Sequence, residues 1–180
     1  MSTVNDYAGT YAIDPTHSEI GFSARHAMVT KVRGSFTEFS GTASSEENLN
    51  NAQINVEIDV NSVDTHNADR DGHLKTGDFF EVEKFPKITF KSTDIKAKDD
   101  ETLEVTGDLT IKDVTKPVTI DFEFNGEAVD PFGNTRVGFE GQTTINRKDF
   151  GLNFQAALDT GGVLVSEKIT LNFDISAIKQ

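Results

Sequence analysis

The chain has 180 residues, with 14 Phe, no Trp and no Cys, and its formal net charge is −13 at pH 7. The lack of Cys excludes disulfides and thiolate metal sites, and the negative charge argues against nucleic acid or an anionic membrane as an electrostatic partner. The length predicts a single domain over residues 1–180, of which residues 1–10 are expected to form a flexible N-terminal segment.

The first eleven residues contain neither a basic start nor a long apolar run, so the sequence offers no sign of a signal peptide. No stretch of the chain approaches the roughly 18 apolar residues that a membrane-spanning helix requires. We therefore expect a cytoplasmic protein that does not insert into a membrane.

Nine segments alternate between apolar and polar residues, which is the pattern of a strand with one buried face. The clearest runs from Ala52 to Val60, where every even position is apolar. In chain order the predicted strands are Tyr11–Asp14, Glu19–Met28, Gly34–Ala43, Ala52–Val60, Lys87–Ile95, Thr102–Lys112, Pro117–Phe124, Thr135–Ile145 and Ser166–Ala177.

Two stretches interrupt the alternation. Asn61–Pro86 is polar at first and then carries Leu74 and the Phe79-Phe80 pair, which predicts a short helical insert with an apolar lid. Arg147–Gly162 places four large apolar side chains between two strands, namely Phe150, Leu152, Phe154 and Leu158. We expect both stretches to have a role in function and not in building the sheet.

Short polar turns between long strands predict antiparallel neighbours. About eight such strands can close into an up-and-down barrel, which removes the exposed sheet edges. The predicted fold class is therefore all-β, an antiparallel eight-stranded lipocalin-like barrel with a short helical insert. A barrel of that size is either filled by side chains or holds one small ligand.

Small residues are mixed into the inward-facing sets, at Ala24, Gly107, Gly141 and Thr143. They either mark bulges and bends or leave room for a ligand. The predicted apolar lining comprises Phe22, Met28, Val56, Ile58, Phe90, Leu109, Phe122, Phe124, Phe139, Leu171 and Phe173. Since each buried CH₂ contributes roughly 0.8 kcal/mol, a chain of about ten carbons could bind such a lining tightly after association costs.

The four histidines are His17, His26, His66 and His73, and no pair has a recognised metal-ligand spacing. We therefore expect no metal site. His26 lies on the apolar face of its predicted strand. It is either a core histidine with satisfied hydrogen bonds or, near a barrel mouth, a partner for the polar end of a ligand.

Two charged motifs follow predicted strands. Asn67–Leu74 contains Arg70 and His73, and it is either a solvated turn in which Arg70 pairs with a neighbouring Asp or a segment that contacts ligand or gates the cavity. Asn146–Gly151 is either a plain turn or a mouth segment whose Arg147 binds a phosphate or carbonyl head group.

Catalytic patterns are missing from the sequence, including Gly-x-Ser-x-Gly, phosphate-binding glycine loops and His-Glu-x-x-His. The leading hypothesis is a non-enzymatic protein without catalytic residues. An enzyme acting on a lipid or quinone, and a stress-response protein with a filled core, remain the alternatives.

Several motifs in order resemble the YceI-like polyisoprenoid-binding family. They are Tyr11–His26 with Val32–Phe36, Arg70–Leu74 with Phe79-Phe80 and Phe85–Phe90, Gly107–Ile111 with Val114–Val118, and Gly138-Phe139 with Asn146–Gly151. The family often has Trp where this chain has Tyr11. The resemblance implies a lipocalin-like barrel around a long isoprenoid or other amphiphilic lipid, no cofactor besides that ligand, and a homodimer. By analogy the ligand is a prenyl phosphate or an isoprenoid quinone.

Overall fold

A computed structural model describes residues 7–155 and 165–180 of the chain. Within these ranges, the segments that alternate between apolar and polar residues form antiparallel strands, and one sheet contains eleven strands. The strands are β1 (Gly9–Ile13), β2 (Glu19–His26), β3 (Thr30–Phe36), β4 (Phe39–Ser45), β5 (Gln53–Asp59), β6 (Val63–Asp64), β7 (Lys87–Ala97), β8 (Thr102–Ile111), β9 (Val114–Val129), β10 (Thr135–Asn146) and β11 (Lys168–Lys179).

Eight of these strands close into a ring in the order β1, β4, β5, β7, β8, β9, β10 and β11. Closure occurs because β1 pairs with β4 on one side and with the end of β11 on the other, where Ile13 lies opposite Ala177. The predicted closed antiparallel eight-stranded barrel is confirmed.

Each of the three remaining strands, β2, β3 and β6, continues the barrel wall beyond the end of a ring strand. β2 pairs with β11 beside β1, with Phe22 opposite Leu171. β3 then pairs with β2, and β6 pairs with β3 through Phe36 and Val63. Three parts of the barrel wall are therefore each built from two strands that follow one another in the chain, namely β1 with β2, β3 with β4, and β5 with β6. The residues between the two strands of each part can turn away from the sheet or contact another segment.

One predicted strand, Gly34–Ala43, is wrong as a continuous element. The chain leaves the sheet at Thr37 and Glu38, whose backbone amides donate to the carbonyl oxygen of Ser62 at 3.3 Å and to Ser62 Oγ at 3.0 Å. These bonds join residues far apart in sequence, so local alternation does not reveal the break between β3 and β4. The predicted ends also move, since β3 begins at Thr30 and β9 continues to Val129.

The predicted helical insert is confirmed as α1 (Ala68–Leu74), which is seven residues long. Asn67 caps its start, and its side-chain oxygen accepts a hydrogen bond from the backbone amide of Arg70 at 2.9 Å. Beyond α1, Phe79 is buried and Phe80 packs against the same core, so the apolar part of the insert belongs to the barrel interior. Among the described residues, no helix has the length and apolar character to cross a membrane.

Arg147–Phe150 form one turn of 3₁₀ helix directly after β10. Of the second predicted interruption, residues 156–164, including Leu158, lie outside the described residues. So do residues 1–6 of the predicted N-terminal segment, whereas Gly9 and Thr10 pair with Ser45 and Ser44 within the sheet.

Candidate functional site

The barrel encloses a cavity of about 440 Å³. One end is formed by Tyr7, Tyr11 and Leu49, and the other by residues at or directly after strand ends, including His26 and Arg147. The volume lies within the range of about 300–1,000 Å³ that is typical of small-molecule sites. The interior of this barrel is therefore not filled by its own side chains.

Nine of the eleven apolar residues that the sequence assigned to the lining do line the cavity. They are Phe22, Val56, Ile58, Phe90, Leu109, Phe122, Phe139, Leu171 and Phe173. Alternation places them correctly because successive side chains in a strand point to opposite faces.

Met28 and Phe124 are the two that do not line it. Met28 lies in the turn between β2 and β3, with a φ of 64° and a side chain that is 62% exposed. The strand ends at His26, so the alternation no longer applies two residues later. The ring of Phe124 instead packs against Tyr7 and Phe139, with ring centroids 4.9 Å and 5.3 Å away.

Two of the small inward-facing residues, Gly107 and Gly141, do not widen the cavity. A Cβ built on Gly107 would lie 2.5 Å from Cζ of Phe90, and one on Gly141 would lie 2.6 Å from Cδ1 of Phe122. Each glycine therefore accommodates an aromatic ring of the neighbouring strand. This third role was not among the two that the sequence suggested.

Further lining residues escaped the sequence prediction, although most share a strand face with residues that it named. Examples are Ile54, Ile88, Leu103, Val105 and Ile120. Ile54 lies two residues from Val56, and Ile120 two residues from Phe122, so the same periodicity identifies them. Tyr7 and Phe154 lie outside the predicted strands, and periodicity gives no signal for them.

Arg147 is the most buried polar residue at the mouth, with 2% of its surface exposed. Its Nη1 donates to the carbonyl oxygen of Leu152 at 2.6 Å, its Nε to that of Ser166 at 2.9 Å, and its Nη2 to that of Val165 at 3.3 Å. Burial lowers the pKa of the guanidinium, and Glu167 opposes that shift. An arginine remains protonated even so, and Arg147 therefore places a buried positive charge beside the cavity.

Arg70 does not pair with Asp69 or Asp71, as a solvated turn would require. Its Nε donates to Thr65 Oγ1 at 2.8 Å and its Nη2 to the Thr65 carbonyl oxygen at 2.6 Å. Asp71 instead accepts from the backbone amide of Thr65 at 2.8 Å and from its hydroxyl. Buried Thr65 thus ties α1 to the barrel wall, and Arg70 is held at the cavity.

His73 and His26 complete the polar end of the lining. The His73 ring lies edge-on to Phe79 and Phe154, with centroids 5.2 Å and 5.0 Å away, while its Nε2 contacts Asp78 Oδ2 at 2.8 Å. His26 is exposed at the end of β2. It is therefore a mouth residue, not a core histidine.

Charge is distributed unevenly around the cavity. Among the described residues, the charged or imidazole side chains at the lining are Arg25, Arg70, Arg147, His26 and His73, and no Asp, Glu or Lys is among them. All five belong to elements at one end of the barrel. The charged side chains of the described lining are therefore three arginines, all at one end, in a chain that has 30 acidic residues.

Three of the four histidines, His17, His66 and His73, each contact a different carboxylate. His17 Nδ1 lies 2.7 Å from Asp14 Oδ2, and His66 Nδ1 lies 3.8 Å from Asp64 Oδ1. Within the described ranges, no three His, Asp or Glu side chains are grouped so as to hold a metal ion.

The closed antiparallel ring and its apolar interior define a lipocalin-like barrel with an internal cavity. The chain belongs to the YceI-like domain family, whose family model matches residues 11–177. It is 40% identical over 176 residues to a UPF0312 protein of Pseudomonas aeruginosa, an alignment that covers 96% of this chain and 88% of that relative.

Two solved structures have the same architecture. The YceI protein of Campylobacter jejuni superposes with a TM-score of 0.73 at 30% identity, covering 87% of this chain and 90% of its own. A protein from Saccharophagus degradans, described as a polyisoprenoid binding domain, has a TM-score of 0.74 at 18% identity, covering 94% and 98%. At that identity the second likeness supports the fold alone.

Proposed function

We propose that this barrel binds an amphiphilic lipid, with the apolar part in the cavity and the polar head at the end formed by His26, Arg70, His73 and Arg147. The observation that carries the proposal is the polarity of the lining. Apolar side chains follow the length of the barrel, and the charged groups of the described lining are gathered at one end.

The apolar part supplies most of the affinity. Each CH₂ moved from water into such a cavity contributes roughly 0.8 kcal/mol. A chain of about ten carbons therefore offsets the loss of translational and rotational freedom on association with few polar contacts. An isoprenoid chain satisfies this requirement, and the description of the Saccharophagus degradans structure as polyisoprenoid binding supports the same ligand class.

An anionic head group on the lipid suits the mouth of the cavity best. Arg147 is buried and its Nε, Nη1 and Nη2 donate to backbone carbonyl oxygens, so among the described residues no carboxylate hydrogen bond neutralises it. Electrostatic attraction strengthens in a site of low dielectric constant. A prenyl phosphate matches this charge better than a neutral isoprenoid quinone.

Transport, storage or sequestration follows from this arrangement more readily than catalysis. In the described lining no Ser or Thr hydroxyl is hydrogen-bonded to a histidine, since Thr65 is engaged by Arg70 and Asp71. A nucleophile paired with a base, which hydrolysis would require, therefore has no support here. A homodimer and a cytoplasmic location remain predictions.

A comparison of farnesyl phosphate with farnesol tests both halves of the proposal, because the two share one apolar chain. We expect both to bind in a titration followed by native mass spectrometry, with the phosphate bound at least tenfold more tightly. Ala24→Phe, which places a ring inside the mouth, should weaken both. Thr144→Phe, on the exposed outer face, is the matched control and should weaken neither.

Arg70→Gln should reduce the preference for phosphate while leaving farnesol binding unchanged, and Lys91→Gln on the outer face should change neither. Equal affinities for the two compounds would contradict the anionic head group. Failure of both compounds and of the isoprenoid quinones to bind would contradict the lipid cavity itself.

A further inference from the structure

The hairpin formed by β2 and β3 has a charge opposite to that of the chain. Its cations are Arg25, Lys31 and Arg33. Its one carboxylate is Glu19 at the start of β2, and residues 20–37 contain no Asp or Glu, although the whole chain has a net charge of −13. All three cations are exposed. We call residues 25–33 the basic hairpin.

The three cations share one face of the basic hairpin. Arg25 lies directly opposite Lys31 in the register, and Arg33 lies two residues further along β3. Like charges opposite one another in a sheet are unfavourable. No ion pair joins any of the three to a carboxylate within residues 7–155 and 165–180, so this face lacks the anion that would compensate it.

The tip of the same hairpin is apolar and exposed. Met28 and Val29 are 62% and 75% exposed. Ala27 and Met28 have φ values of 50° and 64°, a conformation that glycine and asparagine adopt far more readily. Met28 thus places a large apolar side chain at a position whose backbone conformation favours glycine or asparagine.

The basic hairpin adjoins the mouth of the cavity. His26 lines the cavity and forms a bridge with Val165, whose carbonyl oxygen accepts from Arg147. The backbone of Arg25 is joined to Ser166 on the same edge by bonds of 2.9 Å and 3.0 Å. A surface that contacts the basic hairpin therefore lies next to the cavity opening.

We propose that the basic hairpin docks this barrel on a bilayer that contains anionic lipids, with the cavity mouth turned toward the membrane. Exposed cations beside an exposed aliphatic tip match the two layers of a bilayer surface, its anionic head groups and its acyl chains. Nucleic acid would use the cations but not Met28 and Val29. The acidic remainder of the protein is repelled by the same surface, which orients the barrel.

Of the three cations and the two tip residues, only Arg25 also lines the cavity, and the proposal does not depend on which molecule the cavity binds. Flotation of the full chain with phosphatidylglycerol-containing vesicles and with pure phosphatidylcholine vesicles tests it. We expect binding to the anionic vesicles only, weakened by added salt because the Debye length shortens.

Two variants and two controls separate charge from the apolar tip. The triple variant R25Q/K31Q/R33Q should bind about a hundredfold more weakly, since each cation near such a surface contributes about fivefold. M28S/V29S should also weaken binding. K91Q/K116Q/K179Q, at exposed positions elsewhere, should bind like the original chain. So should V129S/F132S, which changes the exposed apolar residues at the end of β9 and in the turn that follows it.

The proposal is overturned if the protein does not float with anionic vesicles, or if the control variants lose binding equally. It is also overturned if gel filtration shows that the original chain is a dimer and that M28S/V29S is a monomer. The hairpin tip would then be a contact between two copies of the chain. Thermal unfolding of each variant confirms that a loss of binding is not a loss of fold.

Discussion

The ring of Phe122 lies across Gly141, its register partner on the neighbouring strand, so that a Cβ at Gly141 would meet ring carbon Cδ1 at 2.6 Å. Phe22 lies over Gly34 in the same way, and Phe90 over Gly107. The absence of a side chain lets each ring lean against the barrel wall. The glycines therefore act by positioning the rings that bound the cavity.

Gly141→Ala should lower the free energy of unfolding by about 1–3 kcal/mol, the usual range for overpacking a well-packed interior. The methyl group would meet the Phe122 ring and also the Asp121 carbonyl oxygen at 3.1 Å. Urea denaturation measures the change. Gly138→Ala on the same strand is the control, because its nearest contact is an ordinary 3.7 Å. Equal losses in the two variants would contradict the steric argument.

Gly72→Ala should act in the opposite direction and raise the free energy of unfolding by about 0.5–1 kcal/mol. Gly72 lies inside α1 with nothing within 4 Å of its added Cβ, and alanine favours the helix more than glycine does. Gly126→Ala also enters open space but has a φ of 119°, so it should destabilise. A gain at both sites would show that backbone conformation does not decide the sign.

Arg147→Met should lower the free energy of unfolding by about 3 kcal/mol or more, because it leaves the carbonyl oxygens of Leu152, Val165 and Ser166 without their donors. Arg147→Lys keeps the charge but not the planar fork, and should recover part of the loss. Lys148→Met, which breaks an exposed pair with Glu167, should change stability by less than about 1 kcal/mol. Denaturant titration of the three variants decides whether Arg147 has this anchoring role.

Acid should destabilise the fold through the contacts of Arg136, whose Nη1 lies 2.7 Å from Asp14 Oδ2 and whose Nε lies 2.8 Å from Asp130 Oδ2. The Arg136 hydrogen bond, followed by that of Thr16, holds the pKa of Asp14 well below its usual value. The backbone amide of Asn134, followed by Arg136, lowers the pKa of Asp130 to about 2.

Both carboxyls release their protons more readily in the folded chain than in the unfolded one, where the pKa is 3.8. Their contribution is therefore complete above that pH and is lost as the pH falls toward 2, because the unfolded state then takes up protons first. Denaturation curves at successive pH values should show this fall, and it should be shallower in Arg136→Gln. Parallel pH profiles of the two proteins would contradict the assignment.

Much of the barrel could be predicted from the sequence because period-two alternation is a local property. It located Phe22, Phe90 and Phe122 on the inner wall, and it indicated a strand number suited to closure. Phe124 was assigned wrongly within β9, and two other failures occur where the chain leaves the sheet. At Met28 the strand had already ended, and at Thr37 the break depends on Ser62, which is distant in sequence.

The four polar residues at the mouth were chosen from motifs, and the structure brings all of them to one cavity. Their partners were not predictable. Arg70 binds Thr65 rather than a neighbouring Asp, and Arg147 binds the carbonyl oxygens of Leu152, Val165 and Ser166. Such bonds depend on which elements meet after the barrel has closed.

By itself, then, the sequence determined an acidic, cysteine-free all-β chain whose inward face is rich in Phe, since composition and alternation are written locally. Only the tertiary structure decided that the glycines accommodate aromatic rings, that the arginines of the lining gather at one end and that three cations share the outer face of one hairpin. Strand register and barrel closure set these distances, and both arise from pairing between residues far apart in the chain.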